Sequence, residues 1–380
     1  NQLKWRGSWS VVGNPIPNTL FARQSYDFSN GTVNTRPPLF DDPKPETTTS
    51  FETGVDVWMF DNKFNFDLTY YNSVLRNQFL NVTTANGESK PVNTGKIRNY
   101  GLEFSAAYRW NIGRDWRWQT GFNIAWNDNR ILETYKTESG TPYIVEMGTN
   151  AFKVKYIEGG RYGDIYVNSF VRDENGHIKI SGADDYETAV PQMESGEYKT
   201  YVGNTASPVT LGWNNTLSWK NLTLYFLIDG RVGGKVMSLT EPDLDLFGLS
   251  ERSAQERLNG ERVTQNGKEY ILKELPDGSG NKVSVENYYM TIGASPMEDY
   301  VYNATNFRVR DISLSYNFNN LFGKNRGLAA QFSVKNAFFI YKDSPVDPDI
   351  SVSAANGFSG IDCYSLPTTR SYALTLKFNF

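Results

Sequence analysis

Cysteine, histidine and long apolar runs are nearly missing from this chain of 380 residues, and each absence removes a class of function. A single cysteine, Cys363, cannot close an internal disulfide and reads as an incidental loop thiol rather than a nucleophile. The only histidine, His177, follows a turn-like Asp173-Glu-Asn-Gly176, so any Ser-His-Asp triad or histidine-bound metal would rest on one loop residue. Apolar runs stop at five residues, as at 224–228 and 337–341, far short of the roughly 20 that a membrane-crossing helix needs. Lys and Arg number 38 against 42 Asp and Glu, and no basic block occurs, which argues against a nucleic-acid partner. Gly159, Gly160 and Gly163 lack the Lys-Ser/Thr that completes a phosphate-cradling loop, so they read as turn glycines. Neither an initiating Met nor a signal peptide opens the chain, and an exported protein would carry its leader upstream of Asn1.

What the chain has is aromatic residues, 14% of the total, set with a period of two. Tyr100, Leu102, Phe104, Ala106, Tyr108 and Trp110 share one phase, and after a short break Trp116, Trp118, Thr120, Phe122, Ile124 and Trp126 repeat it. The opposite phase holds Gly101, Glu103, Ser105, Ala107 and Arg109, then Arg117, Gln119, Gly121, Asn123 and Ala125. Charge therefore sits where a soluble core would have to be dry. Strands of about 9–11 residues that are apolar on one face and polar on the other fit a transmembrane β-barrel with lipid outside and water inside. The chain also closes on such a strand, with Tyr372, Leu374, Leu376, Phe378 and Phe380 in one phase. A terminal Phe there resembles the sorting signal of bacterial outer-membrane barrels.

Ten strand candidates follow from the same pattern, over 3–12, 51–60, 64–71, 100–110, 116–126, 209–219, 222–228, 308–318, 328–336 and 372–380. The connections 61–63, 111–115, 220–221 and 319–327 are short, and they alternate with long ones at 13–50, 72–99, 127–208, 229–306 and 337–371. Outer-membrane barrels have short periplasmic turns and long extracellular loops, which orients the sheet and puts its last residue in the periplasm. Trp110, Trp116, Trp118 and Trp219 then form a periplasmic girdle, and Tyr70, Tyr100 and Trp126 lie near the outer one. Connections of this length are usually functional and should cover the barrel mouth.

Glu52, Asp56, Asp67, Arg98, Glu103, Arg109, Arg117 and Lys377 are read as lumen-facing, most of them solvating the lumen or pairing with other groups there. Tyr71, Asn72, Arg98, Glu103, Asn127 and Arg370, near the outer rim, are the candidates for touching solute. The loop residues Tyr162, Tyr166 and Tyr186 suit stacking on a sugar ring or peptide and suit lid contacts equally. Glu241, Asp243 and Asp245 alternate as a weak Ca²⁺ set, with a solvated acidic loop the plainer expectation. No cofactor and no catalytic residue is expected.

An ordered set of motifs carries a family resemblance. Glu52-Thr-Gly-Val-Asp56, Pro91-Val-Asn-Thr-Gly-Lys-Ile-Arg-Asn-Tyr-Gly-Leu-Glu103, Gly160-Arg-Tyr-Gly-Asp-Ile-Tyr166, Arg172-Asp-Glu-Asn-Gly176, Asp229-Gly-Arg-Val-Gly-Gly234, Arg308-Val-Arg-Asp-Ile-Ser-Leu-Ser-Tyr316, Val334-Lys-Asn-Ala-Phe338 and Asp347-Pro-Asp349 resemble the C-terminal part of SusC/RagA-type TonB-dependent transporters. The resemblance implies an all-β, 22-strand outer-membrane barrel with a plugged lumen, of which residues 1–380 supply about ten C-terminal strands. The plug and the N-terminal strands are expected outside this chain. It further implies active import of an oligosaccharide or peptide across the outer membrane of a Gram-negative bacterium, with a SusD-like surface lipoprotein and TonB as partners. The alternative from another class is a soluble carbohydrate-binding β-sandwich, an adhesion module.

Overall fold

The period-two segments form ten strands that pair in chain order into one antiparallel sheet. They are β1 Gln2–Asn14, β2 Glu46–Met59, β3 Phe64–Thr83, β4 Ser89–Ile112, β5 Trp116–Glu133, β6 Val209–Trp219, β7 Leu222–Val232, β8 Asn306–Phe318, β9 Gly327–Lys342 and β10 Ser371–Asn379. The computed structural model describes residues 1–16, 26–27, 34–35, 44–83, 89–137, 139–295, 298–324, 326–351 and 359–379. Phe380, the expected sorting residue, lies outside the described residues.

Register turns the sequence pattern into a continuous apolar face. Tyr70, Leu102 and Trp126 stand side by side. Below them come Leu68, Phe104, Ile124 and Leu211, then Phe66, Ala106, Phe122, Trp213 and Ile228. The stripe continues through Leu224, Leu314, Phe332 and Leu374. These large side chains are exposed or half-buried, Leu102 at 43% and Leu374 at 69%, and no second sheet of comparable size covers them among the described residues. A sandwich would bury that face under a partner sheet, whereas in a bilayer hydrocarbon covers it. The ten residue steps from Trp126 to Trp116 span about 33 Å along the strand and, at a tilt near 40°, about 25 Å of membrane. Trp116 stacks on Trp219 at 5.7 Å beside the short turns, as a periplasmic girdle requires. No described helix is long and apolar enough to cross a membrane.

The short turns at 60–63, 113–115, 220–221 and 319–326 use left-handed backbone where the chain reverses, at Phe60, Asp61 and Asn62, at Gly113 and at Lys220. At the opposite end one expectation fails. Residues 72–99 are no long loop: β3 and β4 run on as a hairpin, pairing as far as Thr83 with Ser89. Above the bilayer both faces meet water, so Ser73, Val74, Leu75 and Arg76 do not alternate, and the strand loses its sequence signal without losing its hydrogen bonds.

The described residues of the connections 134–208, 233–305 and 343–370 are packed rather than loose. One core joins Phe170, Ile178 and Ala189 to Leu275, Val283, Tyr288, Ile292 and Tyr300. A second joins Ile131 of β5 to Phe152, Val154, Ile165, Val167, Met237 and Ile361. Ile131 pairs with Ile97, in the phase of Glu103, so this cap rests on the luminal side of the wall. Three helices belong to it, α1 Thr240–Leu246, α2 Glu251–Asn259 and α3 Val285–Ala294. Ser250 and Ser284 cap α2 and α3 by accepting from the third backbone N–H beyond them.

Candidate functional site

The luminal face opposite the apolar stripe is held together by its own charges. Arg6 of β1 lies 3.4 Å from Glu52 and 3.3 Å from Asp56 on β2, and it reaches Asp67 and Thr69 on β3. Lys4 stands 4.0 Å from Asp56. A cross-strand network of this kind satisfies carboxylates that would otherwise repel. Glu52, Asp56 and Asp67 are thereby committed to the wall.

Nearer the outer rim the candidates separate by strand phase. Tyr71 crosses over Gly101 to bond Asn127, and any Cβ on Gly101 would lie 2.6 Å from the Tyr71 hydroxyl. Tyr71, Glu103 and Asn127 therefore share the luminal face, with Glu103 exposed. Asn72 and Arg98 do not join them. Asn72 pairs with Tyr100, and the Arg98 guanidinium lies 4.6 Å over the Tyr100 ring, which puts both on the outward face. Polarity misled here because the strand has already left the bilayer, so a polar side chain no longer marks the lumen.

The loop tyrosines are engaged in the cap. Tyr162 stacks on Tyr156 at 4.5 Å, and Tyr166 packs against Tyr201 at 5.4 Å with the Lys155 ammonium 5.5 Å from its ring. Burial pushes the Tyr166 phenol above its ordinary pKa. Tyr186 lies 6.1 Å from Tyr270. His177 sits on an exposed turn whose Asp173 accepts from its backbone N–H.

Glu241, Asp243 and Asp245 form neither a calcium cradle nor a free acidic loop, which corrects both expectations. They lie on α1, where residues two apart point to different sides, and each has its own partner. Glu241 accepts from the Tyr302 hydroxyl and Asp243 from that of Tyr364. Asp245, fully buried, accepts from Arg252, Ser250 and, at 2.7 Å, Tyr300. Burial, reinforced by that carboxylate, pushes the Tyr300 phenol well up and keeps it a donor.

Arg370 borders a cavity of about 610 Å³ that also touches Thr240, Asn336, Lys342 and Tyr364. Beside it is a cluster that the residue-by-residue reading missed, although the family motifs had quoted its parts. Arg308, 2% exposed, lies 3.2 Å from Asp229 and 3.9 Å from Asp347, and bonds Asp349. Arg310 joins Asp229 at 2.5 Å, Asp349 at 2.9 Å and Asn336 at 3.2 Å, and Arg231 meets Asp349 at 2.5 Å. Three arginines and three aspartates thus tie the outer ends of β7 and β8 to the connection 343–370. Equal numbers of opposite charge, spread over three motifs, are the signal that could have linked them beforehand.

A family model described as TonB dependent receptor-like, beta-barrel, matches residues 1–229, more than half of the chain. The chain belongs to this TonB-dependent receptor family. Its long outer connections and aromatic rows are accordingly those of an outer-membrane barrel in a Gram-negative bacterium. TonB-dependent receptor P3 of Formosa agariphila is 25% identical over 411 residues, covering 99% of this chain and 39% of the relative. TonB-dependent receptor SusC of Bacteroides thetaiotaomicron is 23% identical over 410 residues, covering all of this chain and 38% of the relative. The RagAB peptide transporter aligns over the whole chain and 41% of its own, with a TM-score of 0.70 at 16% identity, a likeness of fold. This member of the TonB-dependent receptors thus spans about two fifths of the length of the curated relatives it matches.

Proposed function

We propose that this chain provides wall strands and the outer vestibule of a TonB-dependent importer that takes an oligosaccharide or peptide from beneath a SusD-like surface lipoprotein. The observation that carries the proposal is the pairing of a polar luminal face with a packed cap seated on that same side, above a continuous lipid-facing stripe. In this reading the sheet is closed by further strands of the whole protein. β1 and β10 each have one neighbour among the described residues, and open sheet edges in hydrocarbon cost several kcal/mol per unpaired group. TonB acts through a plug that the rest of the protein supplies. The RagAB neighbour is a peptide transporter, which supports the peptide class. Tyr71, Glu103 and Asn127 on the lumen side, with Arg370 at the rim cavity, are the side chains proposed to touch cargo. No chemical step is assigned, since the one histidine stands on an exposed loop tip.

Growth and co-purification test this proposal. A strain lacking the full-length gene should lose growth on one class of oligosaccharide or peptide, and the tagged transporter should retain a surface lipoprotein. Wild-type growth on every nutrient, together with no retained lipoprotein, would sink the reading. The cap itself is tested by shortening the turn 173–176, which leaves the buried Phe170 and Ile178 in place. Barrel assembly should be unchanged while lipoprotein retention falls. If retention and uptake stay at wild-type level, that tip is a spacer.

A further inference from the structure

Beyond the outer aromatic row of Tyr70, Leu102 and Trp126, the outward face of β3, β4 and β5 carries three further rows in register. The first is Asn72, Tyr100 and Asp128, the second Val74, Arg98 and Arg130, and the third Arg76, Lys96 and Glu133. Arg161, from the connection that follows β5, lies 2.7 Å from Asp128. Together they hold five cations, Arg76, Lys96, Arg98, Arg130 and Arg161, against two carboxylates, Asp128 and Glu133. Luminal cargo does not account for this excess, because these side chains share the face of Leu102 and not that of Glu103. At about 3.3 Å per residue and a tilt near 40°, the second row stands about 10 Å beyond the aromatic row, where arginine side chains reach a lipid headgroup.

The guanidinium groups are also positioned. Arg98 donates from Nε to Asn72 Oδ1 at 2.5 Å and lies over Tyr100, whose hydroxyl donates to Asp128 at 2.8 Å. Its terminal Nη groups have no acceptor among the described residues. Arg76 is exposed and donates to Thr49 at 3.2 Å. Arg130 spans Asp128 at 3.5 Å and the Gly159 carbonyl at 3.5 Å, with its side chain 46% exposed. Planar, weakly hydrated guanidinium forks suit phosphate better than a zwitterionic headgroup, in which the positive end would meet the same cations.

We infer that this outward surface binds the phosphates of an outer-leaflet glycolipid of the lipopolysaccharide class. Arg76, Arg98 and Arg130 supply the donors, and the aromatic row beneath them lies against the acyl chains. The inference rests on the orientation with the long connections outside. In the opposite orientation the same rows would meet glycerophospholipid headgroups.

Native mass spectrometry of the full-length transporter, exchanged into detergent with bisphosphorylated lipid A, dephosphorylated lipid A or phosphatidylglycerol, tests it. The wild type should retain bisphosphorylated lipid A, and R76Q/R98Q/R130Q should retain about tenfold less, as expected when charge-assisted contacts are removed. Dephosphorylated lipid A should not be retained by either protein, and inorganic phosphate should not displace the intact glycolipid, which separates a lipid site from a free-anion site. Equal retention by wild type and variant, or equal retention of both forms of lipid A, overturns the inference. A preference for phosphatidylglycerol also overturns it and would point to the inverted orientation, while leaving the cargo and lipoprotein tests above untouched. Heat-modifiability reports assembly of the triple variant. Should it fail to assemble, R76Q alone, at an exposed position, should still show a partial loss of retention, and no loss would overturn the inference.

Discussion

Arg308→Met should destabilise the full-length barrel by about 3–5 kcal/mol, the loss that follows when one member of a buried ionic cluster is removed. The guanidinium is 2% exposed and lies among Asp229, Asp347 and Asp349. Its removal leaves those three carboxylates with the half-buried Arg310 and the more exposed Arg231, and no cation at the buried centre. Repulsion there would act on the connection 343–370, because Asp347 and Asp349 belong to it, so protease should cut that segment sooner as well. A urea titration followed by tryptophan fluorescence gives the cost. Combining Arg308→Met with Asp349→Asn should cost clearly less than the sum of the two single losses, since the residues are in direct contact. An additive pair, or a single loss below about 1 kcal/mol, would mean that the arginines do not work as a unit.

The same cluster shows where the sequence was legible and where it was not. Inside the bilayer two solvents impose opposite demands on the two faces, so period two is written into every strand. The strand ends on the periplasmic side, such as Phe64, Trp116, Trp219 and Leu222, coincide with the expected ones because turn residues and tryptophans mark them. The outer ends lie beyond the expected ones at β3, β4 and β5, which run on to Thr83, begin at Ser89 and end at Glu133. Those stretches face water on both sides, and hydrogen bonding to a neighbour leaves no trace in side-chain polarity. Arg98 failed for the same reason: it is polar and near the rim, yet its phase is that of Tyr100. Long-range pairing was illegible in a different way. Asp229, Arg308 and Asp349 were each visible as motif residues, but only the fold brings them together across about 120 positions.

Leu102→Arg should cost about 1 kcal/mol, whereas Glu103→Arg, one position along the same strand, should cost far less. The two side chains differ in solvent rather than in location. Leu102 lies in register between Tyr70 and Trp126 on the stripe, with 43% of its surface open to whatever surrounds the barrel. Glu103 lies between Thr69 and Ala125 on the luminal face, where an arginine remains in water. Because Leu102 sits in the outer aromatic row, its arginine can lift toward the headgroups, which keeps the cost near the interfacial value of about 1 kcal/mol. Phe122→Arg, deeper by two rows and near the middle of the span, should cost about 2–4 kcal/mol. Folding titrations of the three variants in lipid vesicles decide the matter. Equal costs for Leu102→Arg and Glu103→Arg would reverse or dissolve the assignment of faces, and with it the outward placement of Arg76, Arg98 and Arg130. A cost for Phe122→Arg no greater than for Leu102→Arg would instead shift the bilayer along the strands while leaving the two faces as they are.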